Sequence, residues 1–223
     1  MSILNVEHLS HGFGDRAIFE DVSFRLEKGE HVALVGANGE GKSTFMSIIT
    51  GKLSLMMARS PGRGVRGGYM DQHAALEAGK TIRETLRTAF QDLVDEEKEM
   101  LAAYDKMASA SPDELERLMA DTAEIQERLE AADYYNLDTK IEEVAAGLGL
   151  RDIGLDHKVD ELSGGQRTKV LLTKLLLQHP DILLLDEPTN YLDAEHIEWL
   201  TRYLQNYENA FIVISHDVPF LTP

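Results

Sequence analysis

The stretch Gly36-Ala37-Asn38-Gly39-Glu40-Gly41-Lys42-Ser43-Thr44 decides the reading of this 223-residue chain. It fits the pattern G-x-x-x-x-G-K-[ST] and lies between a compact apolar run, His31–Val35, and a helix-like pattern that opens near Lys42. Glycines let a backbone wrap closely around a phosphate group, so that several N–H groups point inward. The first turn of the following helix adds its positive end to the same spot. Lys42 is then placed to neutralise β- and γ-phosphate oxygens, and the Ser43 hydroxyl to ligate Mg2+. A Gly-rich turn before an ordinary helix would have a similar composition. The buried strand in front of this one separates the two readings.

A second apolar run, Ile182-Leu183-Leu184-Leu185, ends in Asp186-Glu187. A strand buried in a parallel sheet can carry acids only at its C-terminal end, on the edge where such sheets bind ligands. Asp186 suits the shell of a Mg2+ ion, held through water, and Glu187 suits an attacking water that must be oriented or deprotonated. Further strands are predicted at Ile3–Leu9, Val22–Leu26 and Phe211–Ser215, and helices at Gly164–Gln178 and Ala194–Asn206. From about Thr81 to Gly147 the pattern is helical and acidic. Thr81–Glu84 and Ser111–Glu114 both read as capping boxes; two long helices turn near Ser109–Pro112, and a shorter one covers Leu137–Ala146. A helical block, 81–147, inserted into a parallel α/β domain made of 1–80 and 148–223 is the simplest account.

Composition narrows the function. The chain has no cysteine, which excludes disulfides, thiol catalysis and thiolate zinc sites. Its 22 Lys plus Arg against 39 Asp plus Glu give a net charge of −17, so general attraction to a nucleic-acid backbone is excluded. No apolar run is long enough to span a membrane, and the N-terminus lacks a secretory pattern, which makes the cytoplasm the expected location.

Leu162-Ser163-Gly164-Gly165-Gln166, taken with the phosphate loop, the Leu183–Glu187 strand end, Gln72 and His216, resembles the ATP-binding-cassette (ABC) ATPases. The resemblance covers almost the whole chain, with the motifs in the family's order. It implies a P-loop NTPase fold: a mostly parallel sheet with an N-terminal antiparallel part, plus a helical subdomain. It also implies that ATP and Mg2+ are bound. Ser163, Gly164, Gly165 and Gln166 would cap the ATP held on the loop of a second domain, supplied in cis or by a homodimer. By the same resemblance Gln72 reaches the metal and attacking water, His216 bonds the γ-phosphate, and Asp193 lies in a loop crossing the dimer interface. Phe13 stands where the family stacks an aromatic on adenine, with Phe19 as a nearby competitor for that role.

Three features resemble the F subfamily, which pairs two ATPase domains without membrane segments and whose characterised members act on the ribosome. These are Asn190-Tyr191-Leu192-Asp193, the run Arg167-Thr168-Lys169-Val170, and the 90 positions between Gln72 and Leu162. That gap makes room for a helical arm at about 91–133. The helical block, with 7 Lys plus Arg against 18 Asp plus Glu, is acidic where an RNA-gripping arm would be basic. A transporter's nucleotide-binding subunit and a truncated ATP-binding remnant are the competing readings. The family continues past the position of Pro223 into a second ATPase domain, so one loop and one signature stand here where two of each act together. A chain with this half alone is expected to turn over slowly and to be less stable or to self-associate. Ser54–Gly67 departs from the family's turn-and-strand. Leu55–Ser60, read one base out of frame, can spell Pro-Asp-Asp-Gly-Lys-Val, so a local frameshift is one account. Its arginines and glycines otherwise suit neither a strand nor a helix interior.

Overall fold

The computed structural model describes residues 2–13, 16–37, 39–59, 65–70, 74–216 and 220, with no account of the side chains of 13, 16 and 52–59. The chain opens with β1 (Ser2–Phe13) and β2 (Arg16–Glu27), an antiparallel pair with several register shifts. Then come β3 (His31–Leu34), α1 (Lys42–Arg59) and β4 (Gly67–Tyr69). Every described element between Thr81 and Gly147 is helical: α2 (Ile82–Arg87), α3 (Gln91–Met107), α4 (Pro112–Ala131) and α5 (Leu137–Gly147), with short 3-10 turns between them. The chain returns through α6 (Gly164–Gln178), β5 (Ile182–Asp186), α7 (Ala194–Gln205) and β6 (Ala210–Ile214).

Four strands form a parallel sheet in the order β3-β6-β5-β4. Its two central strands are apolar at every position but Asp186, the last residue of β5, because both faces are covered. Ile182 and Leu184 of β5, with Ala210, Ile212 and Ile214 of β6, pack toward β1, β2 and α1, where Leu4, Leu26, Met46 and Ile49 are buried. Leu183, Leu185, Phe211 and Val213 face the other way, onto Leu172, Leu176, Leu200 and Leu204 of α6 and α7. The remaining side of α6, with Val170 and Leu177, closes a third core with Ile82, Leu86, Ile141 and Ala145. Removing one such leucine, Leu184 for example, is expected to cost about 2–5 kcal/mol.

The expected architecture is present, while some local expectations need correction: β1 and β2 run well beyond the expected Ile3–Leu9 and Val22–Leu26. Thr81 and Glu84 do form a reciprocal capping box at α2. Ser111 is the N-cap of α4 with Pro112 at the first helical position, but its side chain makes no capping bond. At that exposed turn the free N–H groups are open to water. The backbone also stays helical through Arg59, in a stretch expected to suit neither strand nor helix. The expected poor packing of Ser54–Gly67 falls largely outside the described side chains. No described helix is long and apolar enough to cross a membrane.

Candidate functional site

The parallel order places the C-terminal ends of β3, β6, β5 and β4 side by side on one edge of the sheet. The loop Gly36–Gly41 follows β3, His216 follows β6, and Asp186 ends β5 with Glu187 next, so His216 emerges between the loop and the two acids. Gln72 follows β4 in chain order but lies outside the described residues, as does Asn38.

Charged side chains hold the loop. Lys42 Nζ donates to the carbonyl oxygens of Gly36 (2.9 Å) and Ala37 (2.8 Å). The Glu40 carboxylate accepts from the Ala37 N–H at 2.7 Å. Gly41, at φ +92°, lies in the left-handed region, and a Cβ there would stand 2.4 Å from Ile18 Cγ2 of β2, so only glycine fits. Lys42, Ser43 and Thr44 begin α1 behind this turn, and Ser43 is exposed. Nothing in the sequence pattern pointed to the Glu40 contact, since the motif leaves that position open.

Glu187 has φ +48°, a left-handed conformation uncommon for a side-chain-bearing residue and further disfavoured before proline, here Pro188. Its N–H donates to Ile214 O at 2.8 Å, tying it to the end of β6. His216 Nδ1 lies 2.9 Å from Glu187 Oε2, without hydrogen-bond alignment. That Oε2 is buried with no hydrogen-bond partner among the described residues. A buried carboxylate oxygen left unsatisfied is costly, and a water or ligand proton donor there would relieve it.

At the signature, Ser163 is the N-cap of α6. Its Oγ accepts from Gln166 N at 3.3 Å, and the Gln166 side chain accepts from Ser163 N at 2.9 Å. Gly164 opens the helix, and a Cβ on Gly165 would just touch Tyr191, so the signature adjoins the loop leading to Asp193. Asp193 caps α7 by accepting from the His196 N–H, and its carboxylate also meets the His196 ring. These bonds, the backbone one foremost, hold the Asp193 carboxyl below the usual carboxylate range.

Of the two candidates for adenine stacking, Phe19 has a described side chain. Phe19 packs edge-on against Phe45 at 5.8 Å, in the core beneath the loop. Phe13 ends β1 opposite Arg16, and its side chain lies outside the description.

A phosphate-type loop at the head of a helix, with paired acids one strand beyond its neighbour, defines the class: a P-loop nucleotide-binding α/β domain. A family model described as "ABC transporter" matches residues 19–190, and the chain belongs to that family. It is 64% identical over 222 residues to "Uncharacterized ABC transporter ATP-binding protein YfmM" of Bacillus subtilis (strain 168), covering 99% of this chain and 43% of that protein. It is 36% identical over 207 residues to "Energy-dependent translational throttle protein EttA" of Escherichia coli (strain K12), covering 92% of this chain and 37% of that one. The chain thus spans less than half the length of these relatives. Among solved structures, an "ATP binding subunit of ABC transporter" superposes with TM-score 0.61 at 23% identity, covering 96% of this chain and 80% of that one, a likeness of fold alone. The F-subfamily resemblance read from the motifs agrees with these relatives.

Proposed function

We propose that this chain is an ATP-binding and ATP-hydrolysing half of an F-type ABC protein, working against a second ABC domain. The observation that supports this best is the pairing at the sheet edge: a Lys42-centred loop and, across β6, Glu187 with a buried, unsatisfied oxygen beside His216.

The residues present suit magnesium–ATP. Lys42 already binds two carbonyl oxygens, so it can exchange them for β- and γ-phosphate oxygens without leaving its place. Glu40 would yield the Ala37 N–H as the phosphates arrive. Ser43, Asp186 and Gln72 would hold the metal, which when bound neutralises charge on the phosphates. Gly36 to Thr44 form the cradle, and Phe13 stands at the adenine end. Glu187 Oε2 would accept a proton from the attacking water, and His216, 2.9 Å away, would hold that carboxylate in place while its exposed ring meets the γ-phosphate. Ser163, Gly164, Gly165 and Gln166 would act on the nucleotide of the partner domain.

The same reading treats 1–80 and 148–223 as the ATPase core and 81–147 as a helical subdomain with an arm at 91–133. The name of the relative EttA supports a translation-related step, driven by ATP-dependent domain closure. The transporter-subunit reading draws on the fold likeness to an ATP-binding subunit. An open reading frame continuing into a second G-K-S-T loop would favour the F-type reading, and a neighbouring permease gene the other.

The test is turnover in a protein containing both ABC domains. Glu187→Gln is expected to lower the hydrolysis rate at this site by about 10²–10⁴-fold while ATP binding is kept, trapping the closed state. Normal turnover by the variant would remove Glu187 from the role of base.

A further inference from the structure

The α3–α4 hairpin buries only one side of each helix. Met100, Ile125 and Leu129 meet between the helices, and the core continues to Tyr134 and Leu137 at the hairpin's base. Apolar side chains also stand on α3 outside this seam. Leu101 and Tyr104, at spacing i, i+3, are 52% and 43% exposed, while Val94, nearer the base, is half-buried against the seam's core. On α4, Met119 is 58% exposed.

Leu101, Tyr104 and Met119 share one flank. With about 100° of turn per residue, Tyr104 lies roughly 40° and Leu101 roughly 100° beyond the buried Met100. Met119 lies roughly 60° beyond the buried Thr122 in the same sense. Because the two helices are antiparallel, rotations of like sign carry all three to the same side. At the hairpin's base this flank runs into a cleft of about 370 Å³ whose walls include Val94, Glu97 and Tyr134. Single exposed apolar residues are ordinary on a protein surface, but three gathered on one flank beside a cleft suit the apolar face of another helix.

Charge selects the partner. Residues 91–133 hold 14 Asp plus Glu and only 4 Lys plus Arg. Two of those cations are already engaged, Lys98 with Asp95 at 3.1 Å and Arg128 with Glu96 and Glu124 at 3.1 and 3.0 Å. A second copy of the hairpin would bring like charge against like, and a nucleic-acid backbone would be repelled.

We propose that the flank of the hairpin bearing Leu101, Tyr104 and Met119 docks a basic amphipathic helix of a partner protein. Leucine-like side chains of that helix lie along these three, and its lysines or arginines meet the acids on either side. The nucleotide loop takes no part, so this proposal stands or falls separately from the ATPase reading.

The probe is a fluorescein-labelled 18-residue peptide of leucine and lysine, with leucines at i, i+3, i+4 and i+7 spacing. Its binding to the chain is followed by anisotropy. Saturable binding that weakens with salt is expected, with at least a tenfold loss for the scrambled peptide and for the triple variant L101S/Y104S/M119S. L101S alone, at an exposed position, is expected to show a smaller loss in the same direction and serves if the triple variant does not fold. Equal affinity of the wild-type chain and L101S for the peptide, equal affinity for the scrambled peptide, or tighter binding of an RNA hairpin would overturn the proposal. So would dimerisation of the free chain that L101S abolishes, since the flank would then serve a second copy.

Discussion

Two turns in this molecule each open a helix with glycines, and they satisfy their polar groups in different ways. Before α1, charged side chains do the work: the Lys42 ammonium sits on the carbonyls of Gly36 and Ala37, and the Glu40 carboxylate on the Ala37 N–H. Before α6 the partners are neutral, a reciprocal pair between Ser163 and Gln166 that completes the helix end from within. A charged contact of the first kind can be exchanged for a phosphate, which offers the ammonium stronger bonds than carbonyls do. A closed capping box has less to gain from an anion, because its donors are already used. On the proposed reading the first turn would receive a nucleotide in its own chain, and the second would become useful only when another domain presses a phosphate against it.

The sharpest way to break that distinction is to remove one member of each turn and measure nucleotide affinity. Lys42→Ala should weaken ATP binding by about a hundredfold, as expected for losing one partner of a charged pair worth about 2–5 kcal/mol. Ser163→Ala should leave the affinity of the single chain within about twofold on the same titration; equal losses for both would erase the contrast. Stability should respond the other way round. Ser163→Ala loses an N-cap and should lower unfolding free energy by about 1 kcal/mol, measured by urea titration, while Lys42→Ala should change it by less.

The smallest effect concerns the cap beside the signature. Asp193 is held below the usual carboxylate range by the His196 backbone and ring, so its folded pKa is depressed. Its contribution is then complete above the ordinary aspartate pKa, near 3.9, and is lost as pH falls through the lower folded value. Asp193→Asn should flatten this acid limb of a thermal-stability profile. An unchanged profile would show that the cap contributes nothing measurable.

Much of this was legible in the chain. Ile182–Leu185 and Phe211–Ile214 announced themselves because strands covered on both faces leave no room for polar residues. The phosphate loop was equally plain, since Gly41 must be glycine wherever β2 lies against the turn. The N-terminal hairpin was read too short. His8 and Asp21 take left-handed backbone angles and pair with each other across register shifts, so alternation fails in the middle of strands that continue. Glu187's left-handed backbone and the Glu40 contact were not legible at all. Both depend on neighbours brought close only by folding: Ile214 in the first case, and the path of the loop back to Ala37 in the second.

Amide hydrogen exchange on the chain, with and without magnesium–ATP, tests the central claim most directly. Protection is expected at Gly39 to Ser43 and at Glu187, with Gly164 to Gln166 unchanged at concentrations where the chain is monomeric. Protection at the signature under those conditions, or none at the Lys42 loop with nucleotide in large excess, would contradict the account.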